Sequence, residues 1–321
     1  MSAKSCSLEK SFLKLAVQAL DSCQCWQSRL VLYKMFYCIH LPVFPQAGAA
    51  AVITVDRGAI TDITSKVVTE NKMDEKIHVI NSQVDDLSLP NGFVKVDTIV
   101  SDWFGEMLLH RSSLLSVIKA RDKFLKPGGK IFPDTASLYI VGIDDCQYFD
   151  QTLLSFWTDV YGINMAAMAD TERMEPHYIN LDEKNVMTNN RLLWEIDMNT
   201  IKKEEIEFNV PFELDIVKTG YIRGFAIYYS ATFSEGLERI TFSTLQSLEK
   251  TVVYLDKFLI CRVGDQLKGT IHMKPEEGKL KMRVNVDFKV EKLDKVNFVI
   301  QIVVVQGSVM EVIQSKNFVM I

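Results

Sequence analysis

The chain has 321 residues, of which 48% are apolar and 24% are charged, and its formal net charge is −5 at pH 7. This composition excludes a disordered chain, because it supplies enough apolar surface to offset the entropy lost on ordering. The acidic balance disfavours nucleic-acid binding through a broad basic face, and no apolar run reaches the ~18 residues that span a bilayer. The first residues lack a basic segment followed by an apolar one, so we expect no secretory signal.

Strands and helices alternate in the first part of the chain. The predicted order is an amphipathic helix at 8–20, strands at 30–36, 49–56, 76–80 and 94–100, and helices at 60–70 and 114–125. The helix at 114–125 should end at Lys126-Pro127-Gly128-Gly129. Because the strands are mostly apolar and alternate with helices, we predict an α/β fold with a doubly wound parallel sheet.

The second part of the chain has a different pattern. Short apolar or alternating runs predict antiparallel strands at 138–143, 224–230, 252–259, 282–290, 298–305 and 309–313. Between them, residues 153–187 form a predicted helical segment rich in aromatic residues and methionine, a composition that is also typical of ordinary core. No low-complexity linker separates the two parts, so we expect them to pack together.

The six cysteines include no C-x-x-C pair, which favours a reduced protein and predicts a cytoplasmic location. Cys23, Cys25, Cys38 and His40 are a conceivable set of zinc ligands. Their spacing matches no common zinc module, and their apolar neighbours favour buried thiols. We therefore predict no metal site.

Residues 101–143 read SDWFGEMLLHRSSLLSVIKARDKFLKPGGKIFPDTASLYIVGI. This segment resembles the centre of the class I protein arginine methyltransferases, whose active-site hairpin is Ser-Glu-Trp-Met-Gly, with a second Glu nine residues after the first. The resemblance continues through FWTDVYGINM, VKTGYIRGFAIYY, TVVYLDKFLI and LKGTIHMKP. It implies an S-adenosylmethionine-type Rossmann domain followed by a β-barrel domain with an inserted helical dimerisation arm. The implied boundaries are an N-terminal helix at 1–28, a degenerate Rossmann domain at 29–135, and a barrel domain at 136–321 with its arm at about 153–187.

The glycine-rich cofactor loop of that family falls on residues 32–38 of this chain. The positions where glycines are expected hold Lys34, Phe36 and Cys38. Such loops use glycine for positive φ and for close backbone approach to the ligand. No glycine occurs before Gly48, so no shift of the alignment restores the loop. We therefore expect this chain to bind no cofactor.

Two carboxylates stand where the resemblance implies cofactor contacts. Asp56 takes the place of the acid that holds the ribose hydroxyls, and Asp85 takes the place of the adenine-contacting Glu. Carboxylates at strand ends equally often cap turns and helices. Neither residue is expected to restore cofactor binding by itself.

The implied substrate site has lost its charge pattern. Arginine methylation requires a guanidinium held by paired carboxylates, but the two positions here are Asp102 and Arg111. At ~4 Å and an effective dielectric constant of ~20, one charge pair interacts by about 4 kcal/mol, so Arg111 turns attraction into repulsion. Arg111 can instead pair with Asp102 and block the pocket. Glu106 is four residues after Asp102 rather than nine, and we expect it to face solvent or a partner.

Two further family elements are missing. The Thr-His-Trp loop that supports the active site maps onto Gln246-Ser247-Leu248. The N-terminal Tyr-Phe-x-x-Tyr helix that closes over cofactor and substrate has no counterpart before residue 29. The sequence therefore predicts a chain without methyltransferase activity.

The arm is better preserved than the catalytic parts. The aromatic and methionine pattern of a partner-binding arm is retained at Phe156, Trp157, Tyr161, Met165 and Met168. The resemblance therefore implies an inactive, prozyme-type paralogue: a regulatory subunit that pairs with and activates a catalytic class I arginine methyltransferase. The expected assembly is a heterodimer or a dimer of heterodimers.

In this interpretation the catalytic partner uses S-adenosylmethionine, and arginine-rich protein substrates are reached only through it. We expect no membrane and no direct nucleic-acid contact. Two alternatives stay open at this point. One is an active methyltransferase with a rebuilt site that uses Asp102 and Glu106, and the other is a module that recruits arginine-rich substrates.

Overall fold

A computed structural model describes residues 30–34, 49–109, 112–173, 175–234, 239–244, 250–275, 282–290, 297–303 and 312–314. These residues form one parallel sheet, two antiparallel sheets and several helices. The predicted combination of an α/β sheet domain with a β-barrel domain is confirmed.

The parallel sheet has five strands, which are β1 Leu30–Lys34, β2 Ala51–Asp56, β3 Ile77–Asn81, β4 Val96–Ser101 and β5 Leu125–Phe132. Their order across the sheet is β3-β2-β1-β4-β5. Its helices are α1 Ala59–Glu70 and α2 Leu114–Phe124. Val52, Ile53 and Val100 are fully buried, as expected for strands that are covered on both faces.

The predicted end of helix α2 before residues 126–129 is confirmed. The helix ends at Phe124, and β5 begins at the next residue. Leu125 pairs with Val96 of β4, and the parallel register shifts before Lys130, Ile131 and Phe132. Residues 126–129 are therefore an irregular part of β5, in which Gly128 has a positive φ of 73°.

The rest of the described chain forms two antiparallel sheets. The first has the order β7-β12-β10-β6-β8, with β11 paired to β10, and the second has the order β16-β15-β14-β13-β9. The strands of the first are β6 Thr135–Ile143, β7 His177–Ile179, β8 Arg191–Asp197, β10 Gly220–Phe233, β11 Ile240–Ser243 and β12 Lys250–Cys261. The strands of the second are β9 Phe208–Asp215, β13 Gln266–Pro275, β14 Met282–Val290, β15 Asn297–Val303 and β16 Val312–Gln314.

The helical insertion follows β6. It comprises a helical turn Cys146–Tyr148, a π-helix Phe149–Leu154, a 3₁₀ turn Ser155–Thr158 and helix α3 Ala167–Arg173. The predicted helical segment 153–187 therefore starts too late and extends too far. Residues 177–179 form β7 and pair with β12, and only a short 3₁₀ turn, Glu183–Asn185, follows before β8.

The buried side chains form two apolar clusters. The larger joins the parallel sheet to the barrel without a break and includes Trp103, Phe132 and Phe212. This continuity confirms the expectation that the two parts of the chain pack together. The smaller cluster lies under the helical insertion, where Phe149 and Leu153 pack against the barrel.

Among the described helices, none is long and apolar enough to cross a membrane. Within the same part of the chain, no group of three His, Cys, Asp or Glu side chains is arranged to hold a metal ion. The predicted N-terminal helix and the cysteines Cys23, Cys25 and Cys38 lie outside the described residues.

Candidate functional site

A cleft of about 330 Å³ opens at the carboxyl ends of the parallel strands. Strands β2 and β3 lie on one side of β1, and β4 and β5 lie on the other, so the strand order reverses beside this cleft. Ligands of doubly wound sheets bind at such a reversal point. The walls are formed by Val55, Asp56, Arg57, Ser82, Gln83, Val84, Asp85, Leu87, Ile99, Ser101, Ser116, Val117 and Ala120.

Lys34, the last residue of β1, lies at the edge of this cleft. Its backbone is in register with Val55 on one side and with Ser101 on the other, and both of these residues line the cleft. The chain therefore leaves β1 where the resemblance places the cofactor loop. Phe36 and Cys38 lie outside the described residues, so their predicted interference with a ligand stays a prediction.

Asp56 is half-buried at the end of β2 and accepts a hydrogen bond from the backbone N–H of Arg57 at 2.7 Å. The guanidinium of Arg57 donates to the side-chain oxygen of Gln83, with distances of 2.6 Å from Nη1 and 3.2 Å from Nη2. This wall of the cleft therefore combines a carboxylate with a hydrogen-bonded guanidinium. The structure places Asp56 in the cleft, as the resemblance implies.

Asp85 lies at the rim of the cleft, in contact with helix α2. Its two carboxylate oxygens accept hydrogen bonds from the Lys119 ammonium at 2.8 and 2.9 Å. Both side chains of this ion pair are more than half exposed, so the pair stabilises the fold by no more than ~1 kcal/mol. Asp85 is thus held by a cation of its own chain, a contact that the sequence did not predict.

Ser101 contributes a polar group that the sequence analysis missed. It is the last residue of β4 and is fully buried, and its Oγ has no hydrogen-bond partner among the described residues. A buried hydroxyl normally pairs, so this atom is available to a ligand in the cleft. Its only sequence signal is its position, a polar residue at the end of an apolar strand.

The side chains of the cleft can be compared with those needed to bind S-adenosylmethionine, the cofactor that the resemblance implies. A half-buried carboxylate and a buried hydroxyl that has no partner within the described part of the chain fit a nucleoside. Asp56 and Ser101 are the residues that would hold it. Residues 35–48, which follow β1 in the sequence, lie outside the described residues.

The second predicted site follows β4 directly. Asp102 is half-buried and is succeeded by Trp103, which is fully buried, and by Phe104, whose ring centroid lies 5.2 Å from that of Tyr229. Burial, and to a smaller extent the charge of Asp102, raises the pKa of the Tyr229 phenol. Asp102 therefore lies near the barrel wall. Arg111 is outside the described residues, so its pairing with Asp102 is untested.

The segment after Phe104 turns sharply. Met107 and Leu108 both have positive φ, at 48° and 70°, and the Gly105 N–H donates to the Leu108 carbonyl at 2.9 Å. Glu106 sits on this turn and accepts a hydrogen bond from the Tyr178 hydroxyl at 2.8 Å. Glu106 keeps part of the solvent exposure expected from the sequence, and it also contacts β7 of its own chain.

The supporting-loop positions Gln246, Ser247 and Leu248 also lie outside the described residues. Two residues before Gln246, Thr244 is buried, and its Oγ1 both donates to the Tyr229 carbonyl and accepts from the Tyr229 N–H, each at 3.0 Å. This contact holds the chain entering that loop against the barrel.

The helical insertion presents apolar side chains to solvent. Phe156, Tyr161 and Met168 are exposed, whereas Trp157 and Met165 are half-buried. The Met165 N–H donates to the Trp157 carbonyl at 2.8 Å, so the backbone at these two positions holds the insertion together. The sequence analysis missed Ile163, which is 63% exposed.

Comparisons with known proteins agree with this architecture. Residues 134–293 match the model of the arginine methyltransferase oligomerization subdomain. The chain is 35% identical over 257 residues to protein arginine N-methyltransferase 8-B of Danio rerio, a match that covers 78% of this chain and 61% of that protein. It is 34% identical over 258 residues to protein arginine N-methyltransferase 1 of Caenorhabditis elegans, covering 78% of this chain and 74% of that protein.

A solved structure is similar over nearly the whole chain. It is the Trypanosoma brucei PRMT1 enzyme-prozyme heterotetrameric complex with AdoHcy. The similarity has a TM-score of 0.78 and a sequence identity of 25%, and it covers 90% of this chain and 92% of that one.

Proposed function

Because this chain belongs to the protein arginine methyltransferase family, we propose that it is a non-catalytic, prozyme-type subunit that activates and stabilises a catalytic class I member. The partner would supply S-adenosylmethionine chemistry, and arginine-rich substrates would be methylated in the partner's site. The proposed assembly is a heterodimer or a dimer of heterodimers in the cytoplasm. A four-chain assembly is also the form of the similar Trypanosoma brucei complex.

The proposal depends above all on the glycine-free segment after β1. Lys34 ends that strand at the edge of the cleft, and the chain contains no glycine before Gly48. A Cβ at each of Lys34, Phe36 and Cys38 removes the positive-φ freedom and the close backbone approach that a cofactor loop needs. Arg111 at the second carboxylate position also disfavours activity, because its positive charge repels a guanidinium substrate.

The exposed insertion supports the regulatory half of the proposal. Its apolar side chains are anchored from below by the buried Phe149 and Leu153, so they form a supported surface rather than a loose loop. A partner that buries this surface binds only the folded chain, and it therefore stabilises that fold by mass action. The contact is reciprocal if the partner's arm docks on this chain in turn.

One observation favours the alternative of an active methyltransferase. The cleft keeps Asp56 and an unpaired buried hydroxyl at Ser101, and both suit a nucleoside. An active enzyme would bind S-adenosylmethionine in the absence of any partner. Calorimetric titration of the purified chain with S-adenosylmethionine separates the two, since the proposed subunit gives no binding heat.

The decisive experiment measures methyl transfer to an arginine- and glycine-rich peptide. The chain is titrated into a limiting class I arginine methyltransferase from the same organism, and one reaction contains the chain alone. We expect no activity from the chain alone and a rise to a plateau at a fixed stoichiometric ratio. A lone chain that methylates the peptide refutes the proposal, and a flat titration refutes the activating role.

Three variants sharpen the result. Tyr161→Ala combined with Met165→Ala should abolish the rise, whereas Val94→Ala, at an exposed apolar site outside the insertion, should leave it intact. Arg111→Glu restores the second carboxylate and should still give no activity alone, because the cofactor loop remains absent. A substrate-recruiting module would instead lower the partner's KM for the peptide, and the partner's kcat would be the same with and without this chain.

A further inference from the structure

A second exposed apolar surface lies on the barrel, where β10 begins and β12 ends. We call it the barrel-end patch, and it consists of Val217, Tyr221, Phe258, Ile260 and Val263, which are 40 to 64% exposed. None of these residues belongs to the helical insertion.

The patch is continuous because its members are neighbours in the sheet and its turns. Tyr221 is directly opposite Ile260 in the antiparallel register, and the ring centroids of Tyr221 and Phe258 are 6.4 Å apart. The remaining two members lie in adjoining turns, which are joined by a hydrogen bond from the Gly264 N–H to the Ile216 carbonyl at 3.3 Å. The patch is thus a fixed feature of the sheet rather than a set of scattered side chains.

The cation beneath the patch is neutralised within the chain. The Arg223 guanidinium lies 4.5 Å from the Phe258 ring centroid and 5.4 Å from that of Tyr221, and it forms an ion pair with Asp144. Its side chain is only 14% exposed. Arg223 itself therefore offers no free charge to an acidic partner and adds no repulsion between two identical patches.

The exposed area agrees with pairing between identical surfaces. With ~150–250 Å² for a large apolar side chain, the five members expose roughly 500 Å², near the upper end for the largest patch of an ordinary monomer. Two such patches facing each other bury about 1,000 Å², which is the lower limit for a biological interface and typical of a weak, reversible one.

We propose that the barrel-end patch pairs with the same patch of a second copy of this chain about a two-fold axis, joining two heterodimers into a four-chain particle. The four-chain form rests on the proposed function, in which the helical insertion is occupied by the methyltransferase. Phe149, the first residue of the π-helix in the insertion, packs against Phe258 with ring centroids 5.2 Å apart. The two interfaces are therefore adjacent but use different side chains.

Sedimentation velocity tests this proposal on the complex of the full chain with a class I arginine methyltransferase from the same organism. Ile260→Glu places a charge in the centre of the patch, and Val263→Glu places one in the adjoining turn. We expect the wild-type complex to contain four chains and each variant complex to contain two at unchanged 1:1 stoichiometry. The dissociation constant of the four-chain particle should rise about 30-fold or more.

Val94→Glu is the matched control, because Val94 is an exposed valine outside both surfaces, and it should leave four chains. Circular dichroism verifies that each variant is folded, and Val263→Glu remains informative if Ile260→Glu does not fold. Four chains in both patch variants, or two chains in the wild type at micromolar concentration, would overturn the proposal.

The two proposals fail in different ways. If the chain does not bind the methyltransferase, the proposed function fails. If the chain alone forms a homodimer that Ile260→Glu disrupts, pairing between barrel-end patches would still be supported. If the methyltransferase binds and the patch variants change nothing, only the patch proposal fails.

Discussion

Tyr161 allows binding and folding to be separated in one substitution. Its relative exposure is 101%, and it lies in a turn where Val160 and Ile163 exchange backbone hydrogen bonds of 2.9 and 3.1 Å. Because the ring is fully exposed, Tyr161→Ala should change the free energy of unfolding by less than about 0.5 kcal/mol.

The same substitution should weaken assembly strongly. Complete burial of a large apolar side chain is worth about 1.5–3 kcal/mol. If the partner covers Tyr161, its removal raises the dissociation constant of the heterodimer roughly 10- to 150-fold. Tyr161→Phe keeps the ring and should lose only a small part of this affinity.

Fluorescence anisotropy measures the affinity when the labelled chain is titrated with the class I methyltransferase, and thermal unfolding is recorded in parallel. Val94→Ala serves as the control for loss of an exposed apolar side chain elsewhere. A change of less than about threefold in the dissociation constant would show that Tyr161 is no anchor at the interface. A drop of several degrees in Tm would show that the ring stabilises the chain itself.

Three further predictions concern stability. Burial lowers the pKa of His177, whose Nε2 lies 2.9 Å from the Glu172 carbonyl oxygen, so the unfolded chain binds more protons and stability falls as pH drops below ~6.5. Between pH ~7 and ~5, the Tm of His177→Gln should therefore decline less than that of wild type. Parallel curves of Tm against pH would contradict this. Burial also lowers the pKa of Lys250, so its charge costs stability at neutral pH and less as pH approaches 10.5. Its Nζ donates to the Leu181 carbonyl at 3.3 Å, a bond that methionine removes at every pH. The stability of Lys250→Met relative to wild type, measured by unfolding in urea, should therefore be higher at pH ~7 than at pH ~10, and a difference that does not change with pH would contradict this. Gly224→Ala would place a Cβ 2.5 Å from the Val253 carbonyl oxygen and should cost about 1–3 kcal/mol in the same assay, and an unchanged midpoint would show that β12 moves freely there.

The parallel sheet could be predicted because its signal is local. The run of β2, buried from Ala51 to Val55, is apolar except for Thr54, and helix α1 separates it from β3. The start of β5 could not be predicted as a strand, because Lys126 to Gly129 has the composition of a helix end. The strand starts at Leu125 because this residue pairs with Val96 of β4, which is distant in the sequence.

The candidate site shows the same limit. Asp56 could be found from its place at the end of a buried strand, and the structure brings it into the cleft. The contact between Lys119 and Asp85 spans 34 positions, and that between Tyr178 and Glu106 spans 72. Neither pair has a periodic or motif signal, so only the packing of α2 and β7 reveals them.

The two apolar clusters explain how a chain can keep an assembly surface while its catalytic parts change. The cleft lies on the parallel sheet and shares the larger cluster, whereas the helical insertion is anchored in the smaller cluster by Phe149 and Leu153. Substitutions at distant sites without shared partners act almost independently on stability. Replacing glycines after β1 or a carboxylate after β4 therefore need not disturb the insertion, and the proposed subunit can lose cofactor chemistry without losing the surface that binds its partner.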